Sequence, residues 1–112
     1  MKIRTFLAAL GAAAALISMP AQAYLYSAIY AFGDSLSDNG QSKTATALGV
    51  SPPPASSDGP VAVEFLATAY GVPLHDYAVG GATSGTANTD YPSGHPLANS
   101  GVRNQVATFL DG

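Results

Sequence analysis

The chain is 112 residues long, 47% hydrophobic and 10% charged, with four basic against seven acidic side chains and no cysteine. That length fits one small domain, near the lower end of what buries a good core. The acidic balance disfavours nucleic acid as a partner, and the lack of cysteine excludes a stapling disulfide and a thiolate metal site.

The opening segment, MKIRTFLAALGAAAALISMPAQA, places Lys2 and Arg4 before an apolar stretch from Phe6 to Ile17 and ends in Ala21-Gln22-Ala23. A charged start, a short apolar middle and a small-x-small end predict a secretory signal peptide over residues 1–23. The apolar stretch is shorter than the about 20 residues that span a bilayer. Export is therefore expected, to the periplasm, the cell surface or the medium. The remaining residues 24–112 keep Lys43 and Arg103 against Asp34, Asp38, Asp58, Glu64, Asp76, Asp90 and Asp111.

Ala28-Ile29-Tyr30-Ala31-Phe32 is an apolar and aromatic run closed by Gly33-Asp34, which predicts a buried strand and a sharp turn. Asn39-Gly40 is a second turn signal. From Gln41 to Gly59 the composition shifts to Ser, Ala, Thr and Pro, which predicts an exposed loop with a short helix at Lys43–Leu48. Asp58 and Gly59 at a cap, Pro60 in the first helical position and Gly71 with Pro73 as stops predict a helix over 60–70. Its apolar face is expected to be Val61, Phe65, Leu66 and Ala69. Leu74–Val79 is a second, shorter strand ended by Gly80-Gly81. The Gly, Ser, Thr, Asn and Pro-rich stretch that follows is too long for a plain connector, and such loops are functional or disordered. Val102, Val106, Phe109 and Leu110 then recur at helical spacing and open an amphipathic helix near Gly101.

Strand, helix, strand, helix predicts a parallel α/β architecture with functional loops at the carboxyl ends of the strands. Ser35 and Gly81 both fall at such ends. A serine hydroxyl is a weak nucleophile until a base takes its proton and donors await the charge on the attacked oxygen. Ser35 is expected at the start of a helix, where free N–H groups and the dipole favour negative charge. Gly81, lacking a side chain, brings another N–H close. The plainer role for Ser35 is turn or cap chemistry.

Four stretches carry a resemblance, in order: FGDSLSDNG at 32–40, DGPVAVEFLA at 58–67, DYAVGGATSG at 76–85 and GVRNQVATFL at 101–110. They resemble the first signature block, the following segment, the second block and the next helix of secreted bacterial members of the GDSL esterase/lipase family, the SGNH hydrolases. The resemblance implies a flavodoxin-like α/β/α sandwich hydrolysing carboxylic esters, of which this chain supplies the N-terminal strand–helix–strand–helix portion. It implies Ser35 as nucleophile, the N–H groups of Ser35 and Gly81 as part of the oxyanion hole, and Gly33, Asp34, Asp38 and Asn39 as the supporting loop. The substrate is then a small-molecule or lipid ester, with no metal and no cofactor. The family's remaining parts, an Asn in Gly-x-Asn-Asp and a late Asp-x-x-His, have no match, because no Asp here has His three residues on and Asn-Asp does not occur. The chain is thus expected to be part of a longer esterase and inactive alone, and any membrane anchor would lie outside these residues. Asp76 stands where many relatives have Asn, and it accepts the same hydrogen bonds but donates none unless protonated.

Other candidates are weaker. His75 adjoins Asp76 in the strand, so the two side chains face opposite ways, and His95 in Ser-Gly-His-Pro suits a solvated loop. Gly80 and Gly85 have phosphate-loop spacing, but Thr86 stands where Lys is needed. Asp34, Asp38 and Asn39 fail as a calcium loop, with Leu36 at a ligand position and Asn39 in place of the required Gly. Tyr24, Tyr26, Tyr30 and Phe32 suit core or edge packing better than a carbohydrate or membrane platform. A second function class is a non-catalytic extracellular binding module that keeps the fold and uses residues 82–100 as its contact surface.

Overall fold

The computed structural model describes residues 25–112; the expected signal peptide and Tyr24 lie outside them. Two short strands, β1 (Ile29–Ala31) and β2 (Leu74–Asp76), pair in parallel with Ile29 opposite Leu74 and Ala31 opposite Asp76. Three helices accompany them among the described residues: α1 (Lys43–Ala47), α2 (Ala62–Tyr70) and α3 (Val102–Asp111), with a 3-10 turn at Pro96–Asn99 before α3. The result is a small α/β fold, an open parallel sheet of two strands flanked by helices.

Hydrogen bonding continues past the regular strands. The Tyr77 N–H donates to the Ala31 carbonyl at 2.8 Å and the Val79 N–H to the Gly33 carbonyl at 3.1 Å. Both strands therefore run on to about their expected ends and release the chain side by side, at the same edge of the sheet. Ile29 and Ala31 direct their main-chain groups, and Gly33 its carbonyl, at β2, which turns those of Tyr30 and Phe32 to the opposite edge.

Side chains alternate across the strands. Tyr30, Phe32, His75 and Tyr77 share one face, and α3 covers it with Phe109, whose ring lies 4.9 Å from Tyr30, 5.7 Å from Phe32 and 5.8 Å from Tyr77 between centroids. Tyr30 also stacks on His75 and Phe32 on Tyr77. Each such pair adds about 0.5–1.5 kcal/mol beyond its buried area. Tyr30 and Phe32 thus pack on the sheet, as expected, and Tyr26 meets Tyr70 of α2 edge-on. The helix α2 contacts both strands and buries Ala67.

Helix α1 is short but well anchored. Ser42 Oγ accepts the Ala45 N–H at 3.3 Å, and Thr44 Oγ1 donates to the Tyr77 carbonyl at 2.7 Å. Ala45 then joins Val79 and Leu97 in a fully buried cluster, against which Val50 and Tyr91 pack.

The two longer helices differ from expectation in start and in face. Helix α2 begins at Ala62, and Asp58 and Gly59 are exposed rather than capping. Its cap is Glu64, whose Oε2 accepts the Val61 N–H at 2.8 Å. Gly71 ends it in the left-handed region, φ +64°, with the Val72 N–H returning to the Ala67 carbonyl. Phe65 is 64% exposed and Leu66 and Ala69 also face outward, while Ala67 is buried and Val63 and Glu64 are half-buried. The sheet offers small residues such as Ala31 and Ala78 here, so the helix approaches through its own small residue. On α3, Val106 and Leu110 are exposed and Gln105 is buried, between half-buried Val102 and Phe109.

Residues 82–101 are built by their backbone. The carbonyls of Thr86, Thr83 and Gly85 accept the N–H groups of Gly101, Val102 and Arg103 at 2.9 to 3.0 Å, supplying partners to the start of α3. A side chain at Gly101 would collide with the backbone of Gly85, Thr86 and Ala87, so this close approach requires glycine.

Candidate active site

Gly33 leaves β1 with φ +150°, a conformation that favours glycine. The next five residues close a single turn, in which the Asp34 carbonyl accepts the N–H groups of Ser37 and Asp38, each at 3.0 Å. Asp34 Oδ1 accepts the Leu36 N–H at 3.0 Å and stiffens the turn from inside. Ser35 is half-buried on this turn. The expected helix start is corrected: Ser35 lies on a turn and α1 begins only at Lys43, so Ser35 does not sit at a helix N-terminus.

Ser35 Oγ has no hydrogen-bond partner among the described residues, nor does the Ser35 N–H. Because no buried side-chain oxygen in the described residues lacks a partner, the unpartnered Oγ reaches the surface. A methyl placed on Gly80 would lie 3.9 Å from Ser35 Cβ, so the loop after β2 touches the serine turn. The Gly80 N–H is engaged by Asp38, whereas the Gly81 N–H has no acceptor among the described residues. Gly81 sits at φ +80°, where a Cβ would strike Asp90 and Asn88. An accessible hydroxyl thus lies on a turn in contact with the Gly80-Gly81 loop, and each loop carries one N–H, that of Ser35 and that of Gly81, with no acceptor among the described residues.

Two carboxylates lock these loops together. Asp38, 2% exposed, accepts the Gly40 N–H on Oδ1 and the Gly80 N–H on Oδ2, both at 2.9 Å. Asp76, 3% exposed, accepts the Asn39 N–H on Oδ2 and the Ala78 N–H on Oδ1, also at 2.9 Å. Both of its oxygens serve as acceptors for backbone, a task that a carboxylate performs better than the amide of Asn. Burial pushes its pKa above the usual carboxylate value; the hydrogen bonds from Asn39 and Ala78 oppose this, and the charges of Asp38 and Glu64 add to it. Asn39 also accepts the Gln41 N–H on its side chain at 3.0 Å, extending the bracing to the residues that lead into α1.

Two residues that the sequence reading passed over complete the brace. Gln105 of α3, fully buried, accepts the Gly33 N–H on Oε1 at 2.8 Å and donates from Nε2 to the carbonyls of Gly33 and Ser100 at 2.8 and 2.9 Å. Its Oε1 stands in for the strand carbonyl that the Gly33 N–H lacks. Asn88 donates from Nδ2 to the Gly80 carbonyl and to Ser100 Oγ, both at 2.8 Å, and accepts the Asp90 N–H on Oδ1. The available signal was a polar residue set among apolar ones: Gln105 lies three residues after Val102 and four before Phe109.

Neither histidine pairs with Ser35. His75 stacks on Tyr30 within the sheet, and His95 stacks on Tyr91 while its Nδ1 accepts the Leu97 N–H at 3.1 Å. Two open hollows of about 500 and 550 Å³ flank β2; Asn39, Gln41 and Leu74 line both, and neither touches Ser35 or Gly81. They lie beside the braced loops rather than at the hydroxyl. Among the described residues no three acidic or histidine side chains come together as a metal site. A family model described as GDSL-like Lipase/Acylhydrolase matches residues 29–111, from the first residue of β1 to the last of α3. No curated protein matches the chain.

Proposed function

The chain belongs to the GDSL-like lipase/acylhydrolase family, the SGNH hydrolases, and from that premise we propose that Ser35 is the nucleophile of an exported serine esterase. Its Oγ attacks the carbonyl carbon of a small-molecule or lipid ester while a base takes the proton. The charge on the former carbonyl oxygen is received by the N–H groups of Ser35 and Gly81. The proton passes to the departing alcohol, and water then cleaves the acyl-serine and restores the hydroxyl. The observation that supports this reading is an accessible hydroxyl, on a turn that touches the Gly80-Gly81 loop where both strands release the chain, with the N–H groups of Ser35 and Gly81 unengaged among the described residues.

The base and the third oxyanion donor belong to Asp-x-x-His and Gly-x-Asn-Asp segments that these 112 residues do not contain. Residues 24–112 are then the N-terminal part of a flavodoxin-like α/β/α domain, and residues 1–23 a signal peptide directing export. The outward main chain of Tyr30 and Phe32 supports this, since it leaves β1 an edge on which a further strand would pair. The test is to treat the full-length gene product with a fluorophosphonate ester and map the adduct. Labelling at Ser35, lost together with ester turnover in Ser35→Ala, is the expected result. A folded product that takes no label would overturn the serine reading and favour the non-catalytic binding module.

A further inference from the structure

The geometry points to Asn88 as a positioning residue for the oxyanion donor of Gly81. The inference rests on the Ser35 and Gly81 reading above and deepens it. A trans peptide holds its C=O and N–H pointing in opposite directions in one plane. The Gly80 carbonyl and the Gly81 N–H belong to the same peptide, so whatever fixes the first aims the second. Asn88 Nδ2 donates to the Gly80 carbonyl at 2.8 Å, and the Gly81 N–H on the far side has no acceptor among the described residues.

Asn88 is suited to this task because it is itself immobile. It is 5% exposed, its second amide hydrogen bonds Ser100 Oγ, and its Oδ1 accepts the Asp90 N–H at 2.9 Å. Its own backbone N–H is held by the Ala98 carbonyl at 2.9 Å. The neighbouring peptide is fixed too, since the Gly80 N–H goes to Asp38 and the Gly81 carbonyl accepts from both the N–H and Oγ1 of Thr89. Glycines would otherwise let the peptide between them flip at low cost. Donation to the carbonyl also draws electron density along the peptide and strengthens its N–H as a donor. Asn88 therefore acts through Gly81 without touching the substrate.

Asn88→Asp tests this with minimal change of shape. It keeps the acceptor for the Asp90 N–H but sets a carboxylate oxygen against the Gly80 carbonyl, which favours flipping the peptide. In the full-length gene product the expected result is a fall in kcat of roughly tenfold to a hundredfold at unchanged KM, because a lost oxyanion donor costs about 10²–10³ and a misaimed one less. In the Ser35 phosphonate adduct, the Gly81 amide proton should sit far downfield in wild type and move upfield in Asn88→Asp. Val61→Ala serves as a packing control: it trims a buried side chain at the start of α2, touches none of the hydrogen bonds of Asn88, Gly80 or Gly81, and should lower Tm while retaining kcat. Wild-type kcat and an unmoved Gly81 resonance in Asn88→Asp would overturn the assignment to Asn88 while leaving Ser35 labelled. Absence of the Ser35 adduct in wild type would instead overturn the serine reading on which it rests.

Discussion

Replacing Gln105 by Met removes the hydrogen-bonding clamp on the serine loop without opening a cavity, since the two side chains are similar in length and volume. In the native fold, the fully buried Gln105 amide satisfies the Gly33 N–H, the Gly33 carbonyl and the Ser100 carbonyl, at 2.8 to 2.9 Å. The Gly33 carbonyl keeps the Val79 N–H as a partner. The half-buried Gly33 N–H loses its only acceptor among the described residues, and an orphaned donor costs about 1–3 kcal/mol, the upper value being for full burial, while each lost carbonyl bond costs about 1 kcal/mol. The total is roughly 3–5 kcal/mol, large against the about 5–15 kcal/mol that holds a typical domain together. Urea denaturation of the full-length gene product and Gln105→Met measures the loss, and amide exchange at Gly33 locates it. A loss below about 1 kcal/mol, or a Gly33 amide as protected as in wild type, would refute the clamp.

Gly81→Ala should cost about 1–2 kcal/mol for the left-handed backbone alone, with a further penalty from contact with Asp90 and Asn88. It should also slow fluorophosphonate labelling of Ser35 at least roughly tenfold, measured on the folded fraction. Asp76 has a raised pKa in the fold, so between its ordinary value of 3.8 and that raised value the folded state holds the proton more tightly than the unfolded one. The stability of wild type relative to Asp76→Asn should therefore rise as pH falls through that window and level off below it; denaturation midpoints that show the reverse slope would contradict the burial argument. His95→Ala should lower stability by about 1 kcal/mol through loss of the Leu97 N–H acceptor. It should leave the labelling rate of Ser35 unchanged, and a large rate loss would restore His95 as a candidate base.

The strand ends and the serine turn were legible because their signals are local. An apolar run followed by Gly33-Asp34, and Gly71 after a helical stretch, each meet a backbone requirement at the residue itself. The inward faces of α2 and α3 were not legible in the same way. Hydrophobic periodicity favours large residues, but here Ala67 and Gln105 turn inward while Phe65, Leu66, Val106 and Leu110 face out. Gln105 reads as a surface residue until its partner is known, and that partner, Gly33, lies 72 positions away. Residues 82–101 looked like an open loop because their order comes from carbonyls of Thr83, Gly85 and Thr86, which carry no side-chain signature. Asp38 and Asn39 stood in the recognised block, yet the bracing of Asn39 by Asp76 and of Gly80 by Asp38 emerges only when the two loops lie side by side.

The most direct test is a crystal structure of the full-length gene product with a phosphonate bound to Ser35 Oγ. The phosphoryl oxygen should lie within about 2.7–3.1 Å of the backbone nitrogens of both Ser35 and Gly81. An adduct on another residue, or a phosphoryl oxygen turned away while the Gly81 N–H bonds elsewhere in the protein, would contradict Ser35 as a nucleophile served by these two donors.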